Sequence, residues 1–232
     1  MKSLTQFVAS FAFSLTIMST SSAQSTAGPY KDPAINLIYE LLFADRPELF
    51  KQHYTGTLDP PWSTLFADHP DVQSLHKIAG ERKNESRVRM LAFTQLRRAG
   101  QKVPKGEYLG TIIEVRLSEG LDTLAVFGDG SARYLNYSGK MVVIEGSPSP
   151  FDREIGAVIE KSKPIVAEIG PWDKPRLPAP KAGNIRMTFL VSDGLYFGEG
   201  PMNAMRQEPL AAPLITAATA LLQKLIDNSS SK

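Results

Sequence analysis

Three histidines, His53, His69 and His76, all fall in the first half of the chain. His69 and His76 are seven residues apart, roughly 10 Å along a helix, which is not the i, i+4 spacing that chelates one metal. No His-Glu-x-x-His run is present, so no metal site is expected. A serine hydrolase would show a Gly-x-Ser-x-Gly elbow, and the sequence has none. Ser138, beside Gly139, fits a hairpin turn, where small residues serve the turn geometry. Glu114, Asp122 and Asp129 are carboxylates at strand or turn positions, but nothing in their spacing selects an acid–base pair.

Two further places could bind rather than react. Gly198, Glu199 and Gly200, then Pro201, follow a short strand and precede a helix. Such glycine-rich exits can cradle phosphate. Here no Lys-Ser/Thr follows, and Pro201 removes an N–H donor, so a tight loop exit is the favoured expectation. If the second half holds a ligand, this loop and the facing Asp193-Gly194 turn are where it is expected. Residues 81–106 carry eight Lys/Arg against two Glu. With Val88, Ala92, Leu96 and Ala99 on the inner face of a helix, Arg87 and Arg98 are expected outward, as contacts for an anionic surface or an acidic protein. The plainer reading is a solvated helix face. No aromatics interleave these cations, so nucleic acid is not an expected partner.

The whole chain narrows the options. Among 232 residues, Lys+Arg 26 against Asp+Glu 24 leaves a net charge of +2, too little to drive nucleic-acid binding. Hydrophobic residues make up 42%, enough for a globular core. Cysteine is absent, which removes disulfides, thiolate nucleophiles and Cys-type metal sites together. Residues 1–23 read as a secretory signal. Lys2 gives a positive start, residues 7–18 are mostly apolar, and Ser21-Ser22-Ala23 offers a cleavage site before Gln24. The apolar run is too short to span a bilayer. A periplasmic or extracellular location follows as the expectation.

The patterning after residue 23 divides at about residue 106, into a helical region 24–106 and an α+β region 107–232. Asp32-Pro33 is a helix start, and Ile35, Ile38, Leu41 and Leu42 follow at helical spacing over 33–43. Asp45 and Glu48 predict a capping box for a second short helix. A helical turn at Trp62, a helix over 71–79 and another from Ser86 to about Ala99 complete this half. Beyond residue 107 the period falls to two. Strands are expected around 113–117, 122–127, 131–137 and 140–145, with Glu114 and Arg116 on a solvent face. A helix from Ser149-Pro150 runs to about 169 through Pro164, kinked there. Residues 170–183 hold four prolines and should run extended on the surface. A hairpin over 185–197 and a buried helix over 209–227 close the chain, with a polar tail after them.

This is an α+β fold: N-terminal helices, then an antiparallel sheet of five or six strands in β-β-β-α-β-β-α order, packed by two helices and covered on one face. The order over residues 107–227 is similar to that of type III secretion chaperones. The resemblance is of topology, with no shared motif, and implies a fold rather than an activity. The functional expectation is an exported, cofactor-free protein acting by binding or assembly. The alternative is a small exported hydrolase with a Ser or carboxylate site assembled from distant segments. A pocket holding carboxylates of strongly shifted pKa would favour the enzyme, and a basic or apolar patch the binding protein.

Overall fold

The computed structural model describes residues 28–230, so the expected export signal lies outside the described residues. The helical half begins with α1 (Pro33–Leu42), where the Asp32 carboxylate accepts the Ala34 N–H at 2.8 Å and proline occupies the first turn. α2 (Pro47–His53) follows, then the turn α3 (Trp62–Leu65), α4 (Val72–Gly80) and α5 (Ser86–Arg98). Asp71 caps α4 through the Ser74 N–H at 2.7 Å. The expected capping box at α2 is not formed. Its N-cap is Arg46, without a side-chain cap bond, and Asp45 is used elsewhere.

Six antiparallel strands make one sheet in the order β4-β3-β2-β1-β5-β6. They are β1 (Tyr108–Arg116), β2 (Leu121–Phe127), β3 (Ala132–Leu135), β4 (Met141–Ile144), β5 (Asn184–Val191) and β6 (Gly194–Pro201). The tight turns before β3 and β4 use Gly130 and Gly139 at φ 86° and 88°, a region that costs a side chain 1 kcal/mol or so. α6 (Asp152–Glu168) lies between β4 and β5 and is one continuous helix through Pro164. α7 (Met202–Met205) and α8 (Ala211–Ser230) end the fold. α8 starts two residues later than the sequence pattern implies. It also continues into the polar tail, where the Asn228 amide donates to the Lys224 carbonyl at 2.8 Å.

The sheet is covered on both faces, not one. Ile112, Leu121, Ala125, Phe127, Leu135 and Leu190 join the side chains of α1, α4 and α5 in one core. Ile113, Leu124, Val126, Tyr134, Met187 and Phe189 join those of α6 and α8 in the other. Alternation along each strand therefore separates two cores rather than a core from solvent. This overturns the solvent-facing assignment of Glu114, which is fully buried; Arg186 beside it on β5 is 5% exposed. Tyr134 is buried, and Tyr137, in the turn after β3, is 44% exposed. Trp62 stacks on Phe66, and Trp172 meets Phe197 edge-on, so both tryptophans tie irregular chain to the body.

Candidate functional site

The register puts one polar row across the first core face. Thr123 of β2 pairs with Glu114 of β1, Glu114 with Arg186 of β5, and Arg186 with Glu199 of β6. Two tyrosines from the helical layer cap this row. The Tyr30 hydroxyl donates to Thr123 Oγ1 at 2.8 Å, and the Tyr39 hydroxyl donates to Glu114 Oε1 at 2.7 Å. Arg186 donates through Nε and Nη2 to Glu199 Oε2 at 2.9 and 2.6 Å, and Asn184 holds the other Glu199 oxygen at 2.9 Å. Arg186 Nη1 stands 4.0 Å from Glu114 Oε2, which is buried without a hydrogen-bond partner among the described residues.

Burial pushes the Glu114 carboxyl up, only partly countered by the Tyr39 hydrogen bond and by Arg186 and Arg176. Burial acts in the same direction on Glu199, but bonds from Asn184 and Arg186 outweigh it and leave that carboxyl below its ordinary range. Tyr39 is pushed up by burial and by the neighbouring Glu114 charge.

A second cluster lies outside Tyr39. Ala44 adopts φ 48°, an unusual conformation for a residue with a Cβ, and it turns the chain between α1 and α2. There Asp45 Oδ2 accepts from Arg176 Nε at 3.0 Å, and Glu40 accepts from both Arg176 and Arg46. The Arg176 guanidinium also lies 3.8 Å above the Phe43 ring. Burial disfavours its charge, yet Asp45 and Glu40 overcome that and raise its pKa. Arg176 belongs to the proline-rich segment 170–183, which has no helix or strand and crosses the molecule as a strap. A second tie runs from Arg186 Nη1 to the Leu177 carbonyl at 3.3 Å.

Between the strap and α1 opens a cleft of about 890 Å³. Tyr39, Glu40, Asp45 and Arg46 form one wall, strap residues 175–182 the other, and Arg116 stands at the end of β1. Arg116 and Lys181 line it without an ion-pair partner among the described residues, whereas Arg46 and Arg176 are held by carboxylates. Asp45 Oδ1 is buried and has no hydrogen-bond partner among the described residues. Among the described residues the lining has no Ser, Thr, His or Cys. Glu114, the carboxylate with the raised pKa, does not reach the cleft, because Tyr39 stands between.

Arg176→Met is expected to cost about 1–3 kcal/mol in denaturant unfolding, because it leaves Glu40 and Asp45 facing each other half-buried. Arg176→Lys should recover only part of this, since an ammonium cannot serve two carboxylates and stack on Phe43 as a planar fork does. Equal stability of Arg176→Met and the unaltered protein would remove the strap's proposed anchor.

The residues singled out in the sequence lie elsewhere, with two exceptions. Glu114 and Glu199 belong to the buried row. Gly198, Glu199 and Gly200 are within β6, not in a loop after it. Asp193 and Gly194 sit at the opposite end of that strand, roughly 17 Å from Glu199 at strand rise, so the two places do not converge. Asp193 takes the Tyr196 hydroxyl at 3.0 Å and the Gly106 N–H at 3.2 Å. A Cβ on Gly200 would lie 3.2 Å from Met205 Sδ, so that glycine admits α7 against the strand. Arg87 pairs with Glu85 and lies over Phe127, while Arg98 pairs with Glu48. Arg89 and Arg97 of the same helix turn inward, to Glu107 and to the Ser192 carbonyl. Asp122 holds the Tyr134 hydroxyl and the Tyr137 N–H, and Asp129 the N–H groups of Ser86 and Ser131. The three histidines are exposed, and no cluster of His, Cys, Asp and Glu able to hold a metal occurs among the described residues.

No protein-family model, curated protein or solved structure matches the chain at a significant level. Nor is any helix among the described residues long and apolar enough to cross a membrane.

Proposed function

We propose that this chain is exported and acts by binding, holding its ligand in the cleft between the strap and α1. The observation that carries this reading is the composition of the cleft. Its volume falls in the range of ligand sites, and its two carboxylates are both committed to arginines. A general acid or base must reach the proton it moves. Glu114 has the shifted pKa that acid–base work calls for, yet Tyr39 walls it off, and this weighs against the hydrolase alternative. The basic helix α5 is the weaker candidate for an anionic partner, because Arg87 and Arg98 each already hold a glutamate.

Export rests on residues 1–23 alone. Expression of the whole chain in an exporting host should yield a product that begins at Gln24. That product should show no turnover on ester, amide or glycoside chromogenic substrates. A product retaining Met1 would remove export from the proposal. Turnover that Glu114→Gln abolishes would replace binding by hydrolysis.

A further inference from the structure

We infer that the cleft accepts an extended acidic peptide segment, its carboxylates set against Arg116 and Lys181. This rests on the cleft being the binding site. Four cationic side chains line the cleft, Arg46, Arg116, Arg176 and Lys181, against the two carboxylates Glu40 and Asp45. The bonded groups cancel among themselves, so Arg116 and Lys181, without an ion-pair partner among the described residues, set the charge that an incoming group meets. A guanidinium takes a carboxylate by two parallel N–H bonds, and an ammonium adds a point charge.

The strap favours an extended chain. Pro175, Pro178 and Pro180 hold an irregular, extended wall, and Leu177 on it is 38% exposed, an apolar contact beside the cations. The one aromatic ring on the lining, Tyr39, is itself buried, so nothing there stacks a base.

The test is a titration of fluorescent Asp-Ala octapeptide by anisotropy, with Asn-Ala and Lys-Ala octapeptides as companions. The Asp-Ala peptide should bind, and binding should weaken as salt rises from low to physiological strength. Arg116→Glu with Lys181→Glu should weaken it at least about ten-fold, because two favourable charge contacts become repulsive. Lys102→Glu with Lys105→Glu, on exposed loop positions away from the cleft, should leave it unchanged. Thermal unfolding shows whether each variant is folded. Should the Arg116/Lys181 variant not fold, Arg116→Gln with Lys181→Gln replaces it, with a smaller loss expected. Failure of the Asp-Ala peptide to bind overturns the inference, as does Asn-Ala binding that equals it. If Asn-Ala binding is still lost on altering Arg116 and Lys181, the ligand class is wrong and the cleft stands. If Asp-Ala binds but ignores those two residues, the cleft itself is wrong. Displacement by inorganic phosphate or succinate as effective as by unlabelled peptide would put a small anion in place of the peptide.

Discussion

Arg186→Met is expected to destabilise the fold by about 3–5 kcal/mol, the cost of removing one partner from a buried charge cluster. Arg186 is 5% exposed and is the only cation hydrogen-bonded to Glu199 among the described residues. Without it, Glu199 keeps Asn184, and Glu114 keeps the Tyr39 hydroxyl, but two carboxylates then stand on the same sheet face, one on each side of β5. The substitution conserves volume, so the loss reports charge rather than a cavity. The loss should depend on pH, with a sign that follows from the folded-state shifts. Glu114 sits above its ordinary pKa, so its proton is held longer in the folded chain than in the unfolded one. Its contribution falls as pH rises above the usual carboxylate range. Taking Arg186 away raises it further. Glu199 sits below its ordinary pKa, and its contribution, present above the unfolded pKa, is lost as pH falls. Taking Arg186 away diminishes that contribution. Both changes make the deficit of Arg186→Met largest near pH 7–8 and smaller toward acid. Adding Glu114→Gln should recover part of the deficit, since the neutral amide needs no counter-charge and the two sites couple directly. Urea titrations of the unaltered protein, Arg186→Met and the double variant at pH 5 and pH 8 decide it. A loss below about 1 kcal/mol, equal at both pH values, would mean that the row is not held by charge.

Leu221→Ala is expected to cost about 2–5 kcal/mol. Leu221 is fully buried in the core that α8 shares with α6 and the sheet, together with Val158, Ile215 and Leu225. Deleting its isobutyl group removes apolar contact and leaves a space that a close-packed core refills only in part. Ile226, on the same helix but 41% exposed, is the comparison. Its replacement by Ala should cost less than about 1 kcal/mol. Equal costs would show that α8 is not held by the face the structure assigns to it.

Particular residues show what could be read from sequence and what could not. Local chemistry was readable. Asp32 and Asp71 cap helices as their positions imply, Gly130 and Gly139 turn hairpins, and the apolar stripe of α6 runs straight through Pro164. The sheet's second cover was not readable, because alternation is the same whether polar residues face water or a second layer. Glu114 therefore looked solvated. The clue, had register been known, was that two opposite charges in apolar strands stand directly opposite each other. The cleft was less visible still. Arg176, Glu40 and Asp45 come from segments more than 130 residues apart, and Asp45 carried a capping signal that its bond to Arg176 overrides. No spacing rule joins a strap with no period to a helix on the other side of the chain.

The most direct measurement is a map of amide chemical shifts from nitrogen-15-labelled protein, residues 24–232, titrated with a mixed library of peptides and small fragments. It assumes no ligand class. The strongest perturbations should fall together on Arg116, on the non-proline residues of 175–182 and on residues 39–46, the three walls of the cleft. Perturbations that gather instead on β4, on α5 or on the exposed side of α8, with the strap silent, would contradict binding in the cleft.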